Sequence, residues 1–226
     1  MDEKRGYKPG LFIVWEGPDG SGKSTQLEQA AKAIRMKNKY QDILLTREPT
    51  FRASELKKML QEQSNPFDGG IVDLHLFVQD RKIHTEEQII PASNQRTLVF
   101  CDRYSMSTGA YQSAQGVPVE DIIKYHEEAK TLTPDLTIYV DISREVAEQR
   151  MIKRGDKREK FENNSQFNEL LINRYRELVA LANADMRARK VFGPIVRING
   201  NQEIEKVTED ILKVIMPVYD AWLTGQ

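Results

Sequence analysis

The sequence lacks several features that would assign it to a specialised class of protein. Its 226 residues include one cysteine, Cys101, which excludes an internal disulfide and a zinc site built from several cysteines. Apolar runs such as Thr97–Cys101 are strand-sized, far short of the roughly 20 residues that a membrane span needs. Residues 1–10 are charged and lack the apolar core of a secretory signal. We therefore expect a cytoplasmic protein with no membrane attachment.

The chain also lacks a surplus of charge of either sign. Thirty-three Lys and Arg oppose 34 Asp and Glu, giving a net charge of −1. A general nucleic-acid coat protein would need a basic surplus to neutralise phosphates, so we expect no nucleic-acid partner. With 39 % apolar and 30 % charged residues, the composition is that of a globular protein. No repeat or linker divides the chain, and we expect a single domain over residues 1–226.

Short apolar runs alternate with longer helical patterns, which is typical of a parallel sheet with helices on both faces. The sequence predicts an α/β fold with five parallel strands, at Leu11–Trp15, Ile43–Thr46, Thr97–Cys101, Leu136–Val140 and Ile195–Ile198. Helical stripes are predicted at Leu27, Ala30, Ala31 and Ile34, at Tyr175, Leu178, Val179 and Ala182, and at Ile204, Val207, Ile211, Val214 and Val218. The segment Gln63–Gly70 is expected to be a loop between helices.

A phosphate-binding motif follows the first predicted strand and precedes the first predicted helix. The pattern G-x-x-x-x-G-K-[ST] is matched at every fixed position by Gly17-Pro18-Asp19-Gly20-Ser21-Gly22-Lys23-Ser24. Its glycines let successive backbone N–H groups point at an anion, and the positive end of the helix faces the same phosphates. We expect Lys23 to reach the β- and γ-phosphates and Ser24 to bind Mg²⁺. By itself the motif indicates a nucleoside triphosphate and leaves the acceptor open.

Asp102 stands directly after the predicted strand Thr97–Cys101. Because the carboxyl ends of parallel strands face the ligand crevice, we expect Asp102 to hold the magnesium shell, with a surface turn as the alternative. Arg103 beside it is a candidate for clamping an anion. Cys101 is expected to lie in the core. The three histidines show no triad or metal spacing, and we expect surface or helix-face positions for His75, His84 and His126.

Further motifs follow in order along the chain: Thr46-Arg47-Glu48-Pro49, Leu76–Arg81, Asp102-Arg103-Tyr104, Ser107–Gln112, Pro134–Asp141 and Arg150-x-x-x-Arg154. This ordered set resembles the thymidylate kinase family, from Phe12 to about Ile211. The resemblance implies a P-loop NTPase fold, a homodimer, and transfer of the γ-phosphate of ATP to dTMP with the help of Mg²⁺. The chain departs from the family where a Gly-Gly-Thr turn usually follows Pro49, since Thr50–Ser54 stands there instead.

The resemblance also implies an acceptor site for dTMP. Arg47 and Arg103 would grip the 5′-phosphate, because a guanidinium matches paired phosphate oxygens. Phe77 would stack on the thymine ring, and Arg81, one helical turn later, would hydrogen-bond a base carbonyl. Tyr111 would lie beneath the sugar and crowd a 2′-hydroxyl. The remaining candidates are Ser107, Thr108 and Gln112 for polar contacts to the base, and Asp19 for the 3′-hydroxyl.

On the donor side the resemblance implies a short basic lid over residues 150–162. Lid arginines, Arg154 first and then Arg158, would stabilise the charge on the transferring group, and Arg150 would pack on the adenine. Such lids are bacterial-type; other family members carry an arginine inside the loop, where this chain has Gly20. The predicted catalytic residues are Lys23, Asp19, Arg154 and Arg158. The predicted ATP-binding residues are Gly17, Pro18, Asp19, Gly20, Ser21, Gly22, Lys23, Ser24, Thr25, Arg150 and Asn199.

Two alternatives to dTMP phosphorylation stay open at the level of sequence. One is a kinase for another deoxynucleoside monophosphate, for which the altered loop after Pro49 leaves room. The other is a regulatory switch or scaffold without transfer activity. The chain has no N-K-x-D guanine motif, and the presence of Lys23, Asp102 and lid arginines argues against an inactive scaffold. No general base is required, because the acceptor phosphate is already anionic.

Overall fold

The computed structural model describes residues 9–50, 56, 58, 65–155 and 165–225. Within them, five strands form one parallel sheet: β1 (Phe12–Glu16), β2 (Ile43–Arg47), β3 (Leu98–Asp102), β4 (Leu136–Asp141) and β5 (Ile195–Asn199). The strand order is β2-β3-β1-β4-β5. Every strand begins and ends within one residue of its predicted position, and the predicted α/β fold is confirmed.

Helices connect these strands and cover both faces of the sheet. They are α1 (Lys23–Lys37), α2 (Gly70–His84), α3 (Ile90–Asn94), α4 (Ser105–Ala114), α5 (Val119–Ala129), α6 (Arg144–Arg154), α7 (Ser165–Ala184), α8 (Met186–Phe192) and α9 (Ile204–Thr224). A π-helical turn, Thr85–Ile89, joins α2 to α3. In the described ranges no helix combines the length and the apolar character of a membrane span.

The two faces of the central strand β1 belong to different parts of the core, because successive side chains of a strand point to opposite sides. One cluster joins β1 to α1 and α9 and includes Ile13, Trp15, Ile34 and Ile211. The other lies on the opposite face and includes Phe12, Val14, Ile89 and Tyr104. The sheet is therefore covered by apolar packing on both sides, and its carboxyl ends are left as the edge where polar groups meet.

The predicted apolar stripe of α9 is confirmed at Val207 and Ile211 and is wrong at its other three positions, Ile204, Val214 and Val218. The buried side chains are Val207, Ile211, Ile215, Tyr219 and Trp222. Apolar residues occupy both positions 214 and 215, and Ile215, rather than Val214, is fully buried under the sheet. Val218 is likewise only partly buried, and Ile204 is exposed. The stripe of α1 is confirmed, since Leu27, Ala30, Ala31 and Ile34 are all buried.

Helices α4 and α7 approach each other closely at Gly109. A Cβ atom at this position would lie 2.8 Å from Leu178 Cδ1 and 3.1 Å from Phe192 Cε1. A Cβ atom here would therefore force the end of the Leu178 side chain or the Phe192 ring to shift, and glycine allows the present close packing. The close approach brings Tyr175 of α7 against the start of α4.

Candidate active site

The loop between β1 and α1 has the backbone that the phosphate-binding motif predicts. Gly17, Gly20 and Gly22 have positive φ angles of 148°, 79° and 86°. Gly20 also packs against α6, where a Cβ atom would lie 2.7 Å from the carbonyl oxygen of Ala147. This backbone has no room for a side chain at position 20, which accounts for glycine rather than arginine there.

Lys23 is held inside this loop. Its Nζ donates to the carbonyl oxygen of Pro18 at 3.3 Å and lies 3.7 Å from Asp19 Oδ1. Burial, helped by the nearby charge of Arg103, lowers the pKa of Lys23 to about 8. Lys23 lines the cavity above this loop, and its contact with the β- and γ-phosphates stays a prediction.

Ser24 and Asp102 are brought together across β3 and α1. Ser24 Oγ donates to Asp102 Oδ2, and the buried Asp102 Oδ1 has no hydrogen-bond partner. Hydroxyl and carboxylate oxygens, one of them unsatisfied, fit Mg²⁺, which takes oxygen ligands and retains several waters. Among the residues that the structure describes, no group of three or more His, Cys, Asp or Glu side chains converges as a metal site. Nucleotide phosphates and water would therefore have to supply most of the ligands.

A cavity of about 790 Å³, here called the donor cavity, lies over this loop and is lined in part by Lys23, Ser24, Thr25, Asp102, Arg150 and Arg154. Arg150 Nη2 donates to the carbonyl oxygens of Gly200 and Gln202, both at 2.9 Å, and so ties α6 to the loop after β5. Asn199 Oδ1 accepts from Asn201 N at 3.0 Å. The structure therefore places Asn201 and Gln202, rather than Asn199, on the wall of the donor cavity.

A second cavity of about 280 Å³, here called the acceptor cavity, is lined by the predicted acceptor residues Phe77, Arg81, Ser107, Thr108, Tyr111 and Gln112. Two further residues, Asp19 and Arg103, lie in the walls of both cavities. Arg103 Nη2 bonds Asp19 Oδ1 at 2.6 Å. The positive charge of Arg103 holds the pKa of Asp19 well below its usual range. The two cavities meet at this ion pair.

Arg47 lies apart from the other predicted acceptor residues. Its side chain is 73 % exposed, and its Nη2 is 3.9 Å from Asp102 Oδ2. It lines the donor cavity and does not belong to the wall of the acceptor cavity. The structure therefore does not bring Arg47 to the acceptor phosphate, and that role stays a prediction.

A buried polar network lies beneath the acceptor cavity. Arg81 donates from Nε and Nη2 to Glu48 Oε2 at 2.9 and 2.6 Å, and from Nη1 to His126 Nε2 at 2.7 Å. Burial, with the charge of Arg81, lowers the pKa of His126 to about 3, so its neutral ring is the acceptor. His84 Nδ1 contacts Glu48 Oε1 at 2.9 Å. His84 and His126 lie on the faces of α2 and α5, as one of the two predicted alternatives had it; the other alternative, a surface position, is wrong for both, because each is 1 % exposed.

Comparison with known proteins identifies the family of the chain. The family model for thymidylate kinase matches residues 15–211. The chain belongs to the thymidylate kinase family. Thymidylate kinases from two strains of Staphylococcus epidermidis are each 30 % identical over 214 residues, which cover 91 % of this chain and 97 % of the relative. The crystal structure of thymidylate kinase from Ehrlichia chaffeensis shares the fold, with a TM-score of 0.68 at 24 % identity over 92 % of this chain and 99 % of that one.

Membership of the thymidylate kinase family makes the chain a kinase. The predicted lid carries the arginines that are expected to act in its reaction. Arg154 ends α6 and lies on the wall of the donor cavity. Arg158, together with residues 156–162 of the predicted lid, lies outside the described residues. The catalytic role of these arginines and the lid boundaries stay predictions.

Three residues of this thymidylate kinase site were not predicted from the sequence. Glu48 stands in the Thr-Arg-Glu-Pro motif, so its motif was the available signal. Glu16 is a charged residue at the end of an apolar strand, the same signal that pointed to Asp102. Tyr175 gave no signal beyond its place in an apolar helical stripe.

Proposed function

We propose that this chain transfers the γ-phosphate of ATP to dTMP and releases ADP and dTDP. The observation that carries the proposal is the shared wall of the two cavities, in which Asp19 and Arg103 face both. A triphosphate over the glycine-rich loop and a monophosphate in the acceptor cavity would meet end to end at that point. This is the arrangement that an in-line transfer requires.

Recognition of dTMP follows from the walls of the acceptor cavity. Phe77 offers a ring face for the thymine, and Arg81 has donors that its buried partner Glu48 holds in a fixed orientation. Tyr111 lies under the guanidinium of Arg103, with the guanidinium carbon 5.4 Å from the ring centroid. Arg103 would take the 5′-phosphate, and Tyr111 would lie beneath the deoxyribose.

The transfer itself needs positioning and positive charge rather than a base. Lys23 would draw electron density from the β- and γ-phosphates, and Arg154 would stabilise the charge that develops on the transferring group. Ser24 and Asp102 would hold Mg²⁺, which would neutralise charge on the phosphates of the triphosphate. Asp19 would bind the 3′-hydroxyl of the acceptor.

A substrate panel tests the proposal. Purified protein with ATP and Mg²⁺ is offered dTMP, dUMP, dCMP and dAMP in parallel, and diphosphate formation is measured. We expect the highest kcat/KM with dTMP. A higher value for another monophosphate would establish the kinase of different specificity, and no diphosphate from any of them would establish the inactive scaffold.

We also propose a homodimer formed through α2 and a cytoplasmic location, where ATP is available. One face of α2 carries exposed apolar side chains at helical spacing, Val72 at 57 % and Ile83 at 41 % exposure. Exposed apolar patches of this kind mark contact surfaces. Sedimentation equilibrium should give the mass of a dimer, and Val72→Asp should convert it to a monomer. Met36→Asp, which changes an exposed side chain of α1, should leave the mass unchanged. A monomeric wild type would contradict the dimer.

A further inference from the structure

Arg103 is supported through its second terminal nitrogen, Nη1, as well as through the Nη2 that bonds Asp19. Its Nη1 lies 3.1 Å from Ser107 Oγ, 3.3 Å from Tyr175 Oη and 3.2 Å from the carbonyl oxygen of Gly17. Tyr175 Oη is in turn 2.9 Å from Ser107 Oγ, which donates to Glu16 Oε2 at 2.5 Å. The guanidinium therefore stands at one end of a buried chain of hydrogen bonds that ends on a carboxylate.

The two ends of this chain decide where its protons lie. A guanidinium can only donate and an ionised carboxylate can only accept. Ser107 therefore gives its single hydroxyl proton to Glu16, and Tyr175 gives its own to Ser107 Oγ. The lone pairs of Tyr175 Oη are left facing Arg103 Nη1. Because Glu16 also accepts from Tyr104 N at 2.8 Å and from Ser107 N at 3.0 Å, its end of the chain is fixed by backbone.

Tyr175 has no part in the walls of either cavity. It is fully buried, and its ring stacks on that of Tyr139 with 5.4 Å between centroids and 11° between planes. Tyr175 lies on α7, which is distant in sequence from the glycine-rich loop and from α4. Its hydroxyl therefore bears on the site through Arg103 and through Ser107, which lines the acceptor cavity.

We propose that Tyr175 is a positioning residue, which holds Arg103 in the orientation that receives the acceptor's phosphate. The proposal rests on the proposed function, because it takes a nucleoside monophosphate as the acceptor. Asp19 competes for the same guanidinium through Nη2, and its side chain is 62 % exposed. With Nη1 held by Tyr175 and Ser107, Arg103 keeps its place when the phosphate replaces Asp19 at Nη2. Without that support, the guanidinium is free to turn towards the exposed carboxylate of Asp19.

Tyr175→Phe tests this, because it removes the hydroxyl and keeps the stacked ring. We expect the KM for dTMP to rise about tenfold, the usual effect of losing one hydrogen bond to a charged group. The KM for ATP and the binding of thymidine, which lacks the phosphate, should stay unchanged. The matched control is Tyr139→Phe, whose hydroxyl donates to Asp141 Oδ1 at 2.8 Å on the far side of the same stack. That variant should lose a buried hydrogen bond and keep wild-type binding of dTMP.

A second variant keeps the proposal testable if Tyr175→Phe does not fold. Glu16→Gln has the same shape but places an amide donor against Ser107 Oγ, which reverses the proton order of the chain. Arg103 Nη1 then faces a hydroxyl proton. We expect the same effect as in Tyr175→Phe, a higher KM for dTMP and unchanged binding of thymidine.

Four results would overturn the inference. They are an unchanged KM for dTMP in Tyr175→Phe, equal losses of dTMP and thymidine binding in that variant, the same loss in Tyr139→Phe, and an undiminished effect of Tyr175→Phe in an Arg103→Lys background. Failure of the proposed function is distinguishable, because there the wild type itself forms no dTDP. If the wild type forms dTDP and Tyr175→Phe leaves the KM for dTMP unchanged, the inference fails and the proposed function stands.

Discussion

The donor and acceptor cavities are built in different ways. The donor cavity, of about 790 Å³, takes much of its wall from one contiguous segment, the loop and first turn of α1. The acceptor cavity, of about 280 Å³, collects side chains from the loop after β1, the loop after β2, and α2, α4 and α7. The first offers backbone N–H groups and a helix end to phosphates, which are alike in every nucleotide. The second reads a particular base with side chains that distant elements must hold.

This difference predicts where each cavity is vulnerable. A site whose wall is largely backbone loses activity when a charged side chain is removed, but the protein's stability changes little. A site made of buried side chains fails together with the packing that holds them. The predictions below test that contrast, in order of decreasing effect.

The largest effect is expected on the donor side. Lys23→Ala should lower kcat by about three orders of magnitude, through lost stabilisation of charge in the transition state. The melting temperature should change little, since Lys23 makes one hydrogen bond to the loop, at 3.3 Å. Steady-state kinetics and thermal unfolding measure the two quantities, and a kcat within tenfold of wild type would remove Lys23 from the chemistry.

The next effect is on the stability of the acceptor side. Glu48→Gln leaves the charge of Arg81 buried without a counter-ion, which should cost about 3 kcal/mol in the free energy of unfolding. The control is Glu120→Gln, which breaks an exposed pair with Arg187 and should cost far less, because solvent screens exposed ion pairs. Denaturant titration compares the two variants. Equal costs would mean that the buried network does not hold the acceptor side.

A smaller and more selective effect is expected for the base. Phe77→Ala should raise the KM for dTMP by the equivalent of about 1–3 kcal/mol, the range of stacking energies between bases and aromatic side chains. The KM for ATP should stay near its wild-type value, because Phe77 lies on the acceptor cavity alone. An unchanged KM for dTMP would contradict the assignment of this cavity to the acceptor.

The smallest expected effect is a dependence on pH. Burial raises the pKa of Glu16 to about 7, against opposing effects of Ser107 and Arg103. The charged or titratable groups around it are Arg103, Lys23, Cys101, Tyr111 and Tyr175. As pH falls through 7, Glu16 takes up a proton and no longer only accepts from Ser107, so support for Arg103 weakens and the KM for dTMP should rise a few-fold.

The matched comparison for this pH dependence is Glu16→Gln, which has nothing to titrate at this position. The acceptor's own phosphate ionises near a pKa of about 6 and contributes equally to both proteins. The KM values for dTMP of the two proteins should therefore approach each other as the pH is lowered, so that their ratio approaches one. Parallel profiles would show that Glu16 keeps its charge throughout.

The same contrast explains which parts of the molecule could be predicted from the sequence. The strands and the glycine-rich loop follow from local patterns, because apolar runs and glycine spacing are visible within a few residues. Ser24 and Asp102 are 78 positions apart, but each carries a local signal of its own, the phosphate-binding motif for Ser24 and a strand end for Asp102. The hydrogen bond between Arg81 and His126 joins residues 45 positions apart, and that between Ser107 and Tyr175 spans 68. No local pattern distinguishes such side chains from ordinary core residues. Their roles depend on how α4, α5 and α7 pack.

The most direct test is a crystal structure of the protein with dTMP, Mg²⁺ and a non-hydrolysable ATP analogue. We predict the thymine ring on Phe77, the 5′-phosphate on Arg103, and the γ-phosphate above Lys23, so that the two nucleotides meet beside Asp19. A thymidine nucleotide bound away from Phe77, or with its phosphate directed away from the glycine-rich loop, would contradict the account.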